Sequence, residues 1–263
     1  MLSAALRHRH LLWQFTLRDV VGRYRGSLLG LGWLLLSPLL LLGAFTLVFY
    51  GFFSLKWPVA ATGTAQVDFA LQVFVGLILF NWSGEVLNRA PGLVTTQPNL
   101  VTKVVFPLPL LPLSAVLSGA FQALISLGLL MLVTTALVGL SVTWFALPLL
   151  LVPFALLLTG VALWLSALGV YLRDLGPLMT LLTSLLMFLS PVFYPLAQVP
   201  EQWQSIYMAN PLALMIIEVR EVLYMNAWPS LEAVTTLSVT ALAVTFTGYW
   251  LFRFLRGGFA DVL

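Results

Sequence analysis

Carboxylates inside an apolar chain are the side chains that could carry protons or cations across a membrane, and this sequence has nine acidic residues. They lie between the long apolar runs or at their ends. Asp68 and Glu85 bracket the second run, Asp174 follows Arg173, and Glu232 opens the last run. Ion-coupled carriers place such groups inside the membrane, where they face one another or a cavity. We therefore do not expect a proton or sodium relay through the core.

The residues required for ATP binding or for hydrolytic chemistry are missing from the sequence. A Walker loop needs glycines before a lysine that reaches the terminal phosphates, and the only lysines, Lys56 and Lys103, lack that setting. The chain has no cysteine, which excludes disulfides and thiolate sites. The two histidines, His8 and His10, lie in the charged N-terminal segment, where we expect no metal site. We predict a transport body without catalytic residues or a cofactor of its own.

Long charge-free runs define the elements that must position the polar groups. Of the 263 residues, 61% are hydrophobic and 8% are charged, whereas a soluble domain has about 25% charged residues. The runs do not alternate as barrel strands do, and a helix satisfies its own backbone in lipid. We predict an all-α integral membrane protein, a single domain over residues 1–263, with six transmembrane helices. The predicted spans are residues 28–55, 67–87, 108–138, 144–171, 175–194 and 231–254.

The positions of lysine and arginine predict that both termini lie in the cytoplasm. With six spans the termini share one side, and the loops on the cytoplasmic side of bacterial inner-membrane proteins are rich in these residues. The opposite side holds only Lys56 and Arg220. The basic residues on the side of the termini are Arg7, Arg9, Arg18, Arg23, Arg25, Arg89, Lys103, Arg173, Arg253 and Arg256. We expect a multi-pass protein of the bacterial inner membrane.

An amphipathic helix is predicted over residues 10–25, within a cytoplasmic interface segment that covers residues 1–27. Its apolar face, at spacings of four, three and four residues, consists of Trp13, Leu17, Val20 and Tyr24. Arg18 and Arg25 lie away from that face, and Asp19 can pair with Arg23 one turn later. Such a helix lies along the membrane surface with its aromatic residues at headgroup depth. The alternative is a charged tail with frayed structure.

Residues 195–230 fit neither a membrane span nor an ordinary loop. Five prolines from residue 191 to residue 229 interrupt any long helix. The stretch Leu212–Ile217 is too apolar for a free loop and, with Glu218 next, too short to span. We predict a re-entrant pair of short helices on the outer side that gates a pathway, with its charged residues at the headgroup boundary. The candidate gate residues are Asn210, Pro211, Glu218, Arg220 and Glu221.

Five motifs occur in order along the chain: Leu17–Trp33 with Ser37-Pro38, Asn99–Pro107, Tyr171–Leu175, Ser190–Pro195, and Asn210-Pro211 followed by Arg220. Taken together they resemble one family, the permease subunits of type-2 ABC exporters for surface polysaccharides such as O-antigen, capsule and teichoic acid. The resemblance implies a homodimer joined to two copies of a separate nucleotide-binding subunit, which holds ATP and magnesium. It also implies that a lipid-linked polysaccharide passes through a channel between the two permease copies. Membrane lipid is the other expected partner, and nucleic acid is not expected.

The resemblance also implies roles for two segments on the cytoplasmic side. The loop of residues 88–103 would contain the coupling helix that docks on the ATPase, with Arg89, Pro91, Gly92, Gln97, Pro98, Asn99 and Lys103 as contact residues. The interface helix would clamp the ATPase through Trp13, Arg18, Asp19, Arg23, Tyr24 and Arg25. A simple basic connector is the alternative for the loop. Arg173 and Asp174 are either a hinge or an ion pair at the end of a span.

Aromatic side chains are the candidates for contact with the sugar, because the apolar face of a sugar ring stacks on them. On the first span these are Trp33, Phe45, Phe49, Tyr50, Phe52 and Phe53, and on the fifth they are Phe188, Phe193 and Tyr194. The alternative is that they anchor the helices at the interface or face lipid.

Two other functions stay open on the sequence alone. One is a type-2 ABC permease for another lipid or for a drug. The other is an intramembrane transferase for lipid-linked sugars, which needs a carboxylate or histidine at its active site. The carboxylates available outside the membrane are Asp68, Glu201, Glu218, Glu221 and Glu232. The sequence does not reveal which glycan an exporter of this kind would carry.

Overall fold

A computed structural model describes residues 7–52, 57, 62, 64–103 and 106–263, and every regular element in these residues is helical. The predicted all-α class is therefore confirmed. The helices are α1 (Arg9–Tyr24), α2 (Trp33–Phe45), α3 (Ala65–Arg89), α4 (Pro98–Thr102), α5 (Leu110–Leu137), α6 (Leu147–Tyr171), α7 (Leu175–Phe188), α8 (Glu201–Met208), α9 (Pro211–Tyr224), α10 (Leu231–Leu255) and α11 (Phe259–Val262). A π-helix, Thr46–Phe52, continues α2, and short 3-10 turns precede α2 and α6 and follow α3 and α10.

Five helical stretches of the described residues are long and apolar enough to cross a membrane. They are Trp33–Phe52, Ala65–Gly92, Leu110–Leu137, Val142–Tyr171 and Leu231–Val262. The predicted count of six is not confirmed by helix length. Within the predicted span 175–194, α7 has only 14 residues, or about 21 Å at 1.5 Å per residue, which is shorter than the hydrocarbon core of about 30 Å.

The long helices place the charged residues of distant segments together at one end of the bundle, here called the basic end and defined by Arg23, Arg89, Arg173 and Arg253. Arg89, at the end of α3, bonds to α1. The Tyr171 hydroxyl, at the end of α6, donates to the carbonyl of Leu255 at 2.9 Å. The N-terminal helix α1 and the C-terminal helix α11 both lie at this end. The segments around Thr143, Val192, Asn210 and Ser230 form the opposite end.

Helix α3 is the centre of the bundle, because α2, α5, α6, α7 and α9 all pack against it. Its membrane-length window is 78% buried, the highest value among the five candidate spans. Trp82 of α3 packs against α5, where its indole N–H donates to the Val116 carbonyl at 3.1 Å. A Cβ atom at Gly119 would lie 2.7 Å from that ring, so only glycine permits this approach.

Helices α6 and α10 pack backbone to backbone. A Cβ atom at Gly160 would lie 2.6 Å from the backbone nitrogen of Thr245, and one at Gly248 would overlap the Gly160 carbonyl. Small residues allow such contact between membrane helices and let polar groups bond across it. The Thr245 hydroxyl donates to the Leu156 carbonyl at 2.7 Å. This pair is a rigid unit of the fold.

In contrast, α2 and α7 are sparsely covered by the rest of the chain. The α2 stretch is only 11% buried in its membrane-length window. On α7 only Leu175, Met179 and Thr183 are buried. Apolar side chains such as Leu40 and Leu181 are 58% exposed. Lipid or another protein chain must cover these two helices.

Candidate functional site

Four charged side chains form a network at the basic end. Asp19 and Arg23 are one turn apart on α1, and Glu85 and Arg89 are one turn apart on α3, so each pair lies on one face of its helix. Arg89 donates to both carboxylate oxygens of Asp19, at 2.6 and 2.8 Å, and to Glu85 at 2.9 Å. Arg23 bonds to Asp19 at 3.1 Å and also contacts Glu85. The charges alternate in sign, and the network is neutral.

The contacts within this network outweigh the cost of its partial burial. Burial alone would raise the pKa of Asp19, but hydrogen bonds from Arg89 and Ser118 and the charges of Arg89 and Arg23 outweigh it and lower that pKa. Burial likewise opposes the charge of Arg23, but its contacts with Glu85 and Asp19 raise its pKa. Ser118 of α5 accepts from Arg23 at 2.6 Å, so the network joins three helices. Asp19 is therefore ionised throughout the neutral range.

The predicted pair of Asp19 and Arg23 is confirmed, but the predicted apolar face of α1 is only partly correct. Val20 is buried against the bundle, whereas Trp13 is 55% and Leu17 is 38% exposed. Tyr24 is half-buried, and Arg18 and Arg25 are exposed. The side of α1 that faces the protein thus carries the charged pair, because Glu85 and Arg89 of α3 lie opposite it. Trp13 and Leu17 are left for lipid or a partner.

The candidate docking loop, residues 88–103, divides into an inner and an outer part. Arg89 is turned toward Asp19, and Pro91 is buried against α6, where a Cβ atom at Gly169 would overlap the Pro91 carbonyl. Gly92 and Gln97 are half-buried. The exposed candidates are Pro98, Asn99 and Lys103, on or just after the short helix α4.

A cleft of about 300 Å³ separates α1 from this loop. Asp19 and Arg23 of α1 and Arg89 and Gln97 of the loop are among the residues that line it. Helix α4 packs against the C-terminal helix α11. The cleft adjoins the exposed turn of α4 at the basic end, because Gln97 lines the cleft and Pro98 begins α4.

Arg220 occupies a position that the sequence did not predict. Its side chain was expected at the outer headgroup boundary, but the residue is 5% exposed and lies inside the opposite end. Its guanidinium donates to the carbonyls of Gln72, Pro191 and Val192 at 3.0, 2.6 and 2.8 Å. It also lies 4.5 Å from the ring centre of Trp57. Among the described residues, no carboxylate lies within ion-pair distance of Arg220.

The cause of this burial is the non-helical turn between α7 and α8. Carbonyls in such a turn have no helical partner, and inside a bundle or a membrane they need a donor. The forked guanidinium supplies several donors at once. Gly76 of α3 permits the approach, because a Cβ atom there would lie 2.9 Å from the Val192 Cα and 3.0 Å from the guanidinium.

Glu218 was also expected at the headgroup boundary, and it too is buried, at 5% exposure. Its carboxylate accepts from the backbone N–H and the hydroxyl of Ser230, at 2.9 and 2.8 Å. Ser230 is the N-cap of α10, so this contact ties α9 to α10. Of the three charged gate candidates, only Glu221 remains partly exposed.

Asn210 and Pro211 begin α9 and connect it to the preceding turn. The Asn210 side chain accepts from the Leu212 N–H at 3.0 Å and donates to the Ser190 hydroxyl at 2.9 Å. Residues 212–216 are buried in the core. Hydrogen bonds thus connect several segments at the opposite end. Helix α9 does not present its apolar run to lipid or to another chain.

The aromatic candidates are partly packed against one another. Phe193 is 2% exposed, and its ring centre lies 4.5 Å from that of Phe45 and 4.8 Å from that of Phe49. Phe193 therefore serves the contact between the first predicted span and the α7–α8 turn, and within this chain its ring is not an open surface. Tyr50 packs beside Phe69, with ring centres 6.0 Å apart.

The other aromatic candidates have more open environments. Phe52 is 74% and Phe188 is 61% exposed, and Trp33 is half-buried. Tyr194 is half-buried, donates to the Phe188 carbonyl and lies 3.0 Å from the hydroxyl of Tyr207. Phe53 lies outside the described residues. Phe52 and Phe188 are thus the rings that remain free for a ligand or partner.

Comparison with known proteins gives a consistent result. A family model described as ABC-2 type transporter matches residues 10–224. An O-antigen export system permease protein RfbA from Klebsiella pneumoniae is 27% identical over 256 residues, covering 96% of this chain and 95% of that protein. A protein of the same name from Myxococcus xanthus is 29% identical over 259 residues, covering 97% and 96%. The matched family region includes the charge network, α4 and Arg220.

Proposed function

Because this chain belongs to the ABC-2 type transporter family, we propose that it is the permease subunit of an ATP-driven exporter of lipid-linked polysaccharide. The names of the O-antigen export permeases that it resembles support this class of substrate. The sequence has no Walker loop, so ATP and magnesium belong to a separate nucleotide-binding subunit. The chain itself has a transport role and no enzymatic one.

The observation that carries the proposal is the bidentate ion pair between Asp19 and Arg89. Arg89 ends α3 and begins the docking loop, while Asp19 lies on α1. A partner that moves either the loop or α1 therefore moves both. Because α3 is the most buried of the candidate spans, a tilt at its basic end is passed to the helices packed around it.

We place the basic end in the cytoplasm, where loops rich in lysine and arginine are retained. The ATPase then meets the exposed residues Pro98, Asn99 and Lys103 and the cleft beside α1. The membrane is the bacterial inner membrane, since ATP and the newly made polysaccharide are both on its cytoplasmic side.

A second copy of the chain completes the pathway in this proposal. The two sparsely covered helices, α2 and α7, would face each other across a homodimer axis and line a channel. The exposed side of α7 carries Thr180 and Ser184 one turn apart, with Phe188 one further turn along. Hydroxyls and an aromatic ring on one face match the hydroxyls and apolar faces of sugars.

The test begins with co-purification of the chain with its nucleotide-binding subunit, for which the adjacent reading frames are searched first. Glycan export is then measured in a deletion strain. Pro98→Ala and Asn99→Ala together should reduce assembly or the stimulation of ATP hydrolysis several-fold, because they alter the shape of the exposed docking turn.

Gln202→Ala, which changes an exposed residue of α8 at the opposite end, is the matched control and should behave as the unchanged protein. Normal export from well-expressed Pro98/Asn99 variants would remove the docking assignment. Failure of the unchanged chain to restore glycan export would remove the proposed function itself.

A further inference from the structure

A polar groove of about 250 Å³ lies between α2, α3 and α5. Its polar lining consists of Ser37, Asn81, Glu85, Gln122 and Ser126. Trp82 and Pro38 form apolar parts of the wall.

Two series of residues at four-residue spacing create this lining. Asn81, Glu85 and Arg89 follow one another on α3, and Ser114, Ser118, Gln122 and Ser126 do so on α5. Residues four apart lie on one face of a helix, and the structure turns these two faces toward each other. Together they make a polar strip that starts at the charge network, where Arg23 bonds to Ser118.

The strip penetrates well into the depth of the bundle. Asn81 precedes Arg89 by eight residues, and Ser126 follows Ser118 by eight, which corresponds to about 12 Å along each helix. The hydrocarbon core of a membrane is about 30 Å thick. The inner end of the polar groove therefore lies far from the basic end, at a depth where unpaired polar groups are costly.

The inner polar groups of the groove have no partner in the described part of the chain. The side chains of Ser37, Asn81, Gln122 and Ser126 make no hydrogen bond there. Other hydroxyls on the same helices bond to a carbonyl one turn back. Examples are Ser83 with Leu79 and Thr134 with Leu130, at 2.8 and 2.9 Å, and Thr135 with Met131 at 2.7 Å. The groove thus keeps its donors and acceptors free.

We propose that the polar groove is the loading site for the sugar unit nearest to the lipid anchor of the substrate. This inference rests on the proposed function. Amides and hydroxyls both donate and accept, as sugar hydroxyls do, and Trp82 offers an apolar wall. The neighbouring charge network is neutral, so the groove has no excess charge with which to select a free anion. Its volume is below the usual range of about 300–1,000 Å³ for drug-sized ligands, which fits one sugar unit and excludes a polymer.

The positions of the polar strip and of α2 indicate how the sugar reaches the site. The polar strip begins at the basic end, which is cytoplasmic in the proposed function. Helix α2, the groove's outer wall, is the least covered of the candidate spans. A lipid-linked sugar can therefore enter along the strip while its lipid stays in the cytoplasmic leaflet. Loading here places the sugar one helix away from the proposed channel, on the other side of α2.

The test uses the permease–ATPase complex in lipid nanodiscs and a polyprenyl-diphosphate-linked disaccharide with a photoreactive group on its first sugar. A second probe is the same polyprenyl diphosphate without sugar. In the unchanged protein, the sugar probe should label residues 81–85 and 119–126. A tenfold excess of unlabelled lipid-linked disaccharide should abolish this labelling, whereas a tenfold excess of the sugar-free lipid should leave it unchanged.

Asn81→Leu and Gln122→Leu should each lower this labelling at least fivefold and raise by a similar factor the disaccharide concentration for half-maximal ATPase stimulation. Their melting temperatures should be equal to or above that of the unchanged protein, because each replaces an unpaired polar group by an apolar one. A purely structural role predicts a lower melting temperature. Gln122→Ala is the second variant to use if leucine prevents folding.

Thr240→Leu is the matched control, since it replaces a neutral polar residue in α10, which does not line the groove. It should change neither labelling nor half-maximal stimulation. Equal labelling of the unchanged protein and both leucine variants, labelling only outside the groove, or equal competition by the sugar-free lipid would overturn the loading site. In each of these cases, glycan export by the unchanged protein would leave the proposed function intact, so the two failures can be told apart.

Discussion

Replacing Arg220 with lysine keeps the positive charge at the opposite end of the bundle but removes the forked shape of the donor. The guanidinium donates three hydrogen bonds to carbonyls on α3 and on the α7–α8 turn. An ammonium group is a compact donor on a flexible stem, so it cannot reach carbonyls that lie on three sides of a planar group. At least two of these carbonyls would lose their donor.

The magnitude follows from these lost bonds. A hydrogen bond to a charged group contributes about 1.5–3 kcal/mol, and a buried polar atom left unpaired costs about 1–3 kcal/mol. Since the two amounts overlap and the neighbouring residues relax, we expect Arg220→Lys to lower the free energy of unfolding by about 3–5 kcal/mol. For a chain of this length that corresponds to a fall in melting temperature of roughly 10 °C.

The assay measures the thermal stability of the purified protein in nanodiscs. The readout is the fraction of the protein that remains monodisperse after heating to each temperature. Arg256→Lys is the matched control, because Arg256 is exposed at the basic end and exposed substitutions usually change stability by less than about 0.5 kcal/mol. Arg220→Met, which removes all three donors, should destabilise at least as strongly as lysine. A melting temperature of Arg220→Lys within one or two degrees of the unchanged protein would refute the reasoning, because the predicted fall follows from the loss of at least two of these hydrogen bonds.

The charge network and the topology give further predictions. Asp19→Arg or Arg89→Asp alone should weaken assembly with the ATPase, and the double exchange should largely restore it. Because both side chains are a quarter to a third exposed, the coupling energy in such a cycle should be only about 1 kcal/mol, and an absent coupling would contradict the link. The pKa of Asp19 is lowered, so the stability from its ionised form is present above the ordinary aspartate pKa of about 3.9 and is lost only as the pH falls through the lower folded value. Protease protection of α1 should accordingly be unchanged between pH 5 and 8, and a transition within that range would contradict the assignment. Reporter fusions in the loop 88–103 should be cytoplasmic and a fusion at residue 205 should be external, and a cytoplasmic signal from residue 205 would disprove the orientation.

The sequence by itself determined the class of the protein and most of its helices. Charge-free runs of about 20 residues or more can lie in lipid only if the backbone bonds internally, and helices achieve this within one segment. Between the predicted spans 108–138 and 144–171, α5 ends at Leu137 and Gly139 has the left-handed φ of +103° that favours glycine. The pair of Asp19 and Arg23 was equally readable, because its spacing of four residues is a local property of a helix.

Only the tertiary structure decided which distant groups meet. Asp19 and Arg89 are 70 residues apart in sequence, and the spacing within α1 does not reveal which face turns toward α3. The four-residue series on α3 and α5 is visible in the sequence, but it becomes a groove only because the packing turns both faces toward α2. Arg220 was expected at the outer headgroup boundary because it directly follows an apolar run. Its partners are backbone carbonyls of α3 and of a turn 28 and 29 residues earlier in the chain. Because every residue has a backbone carbonyl, no pattern of side chains could predict these partners.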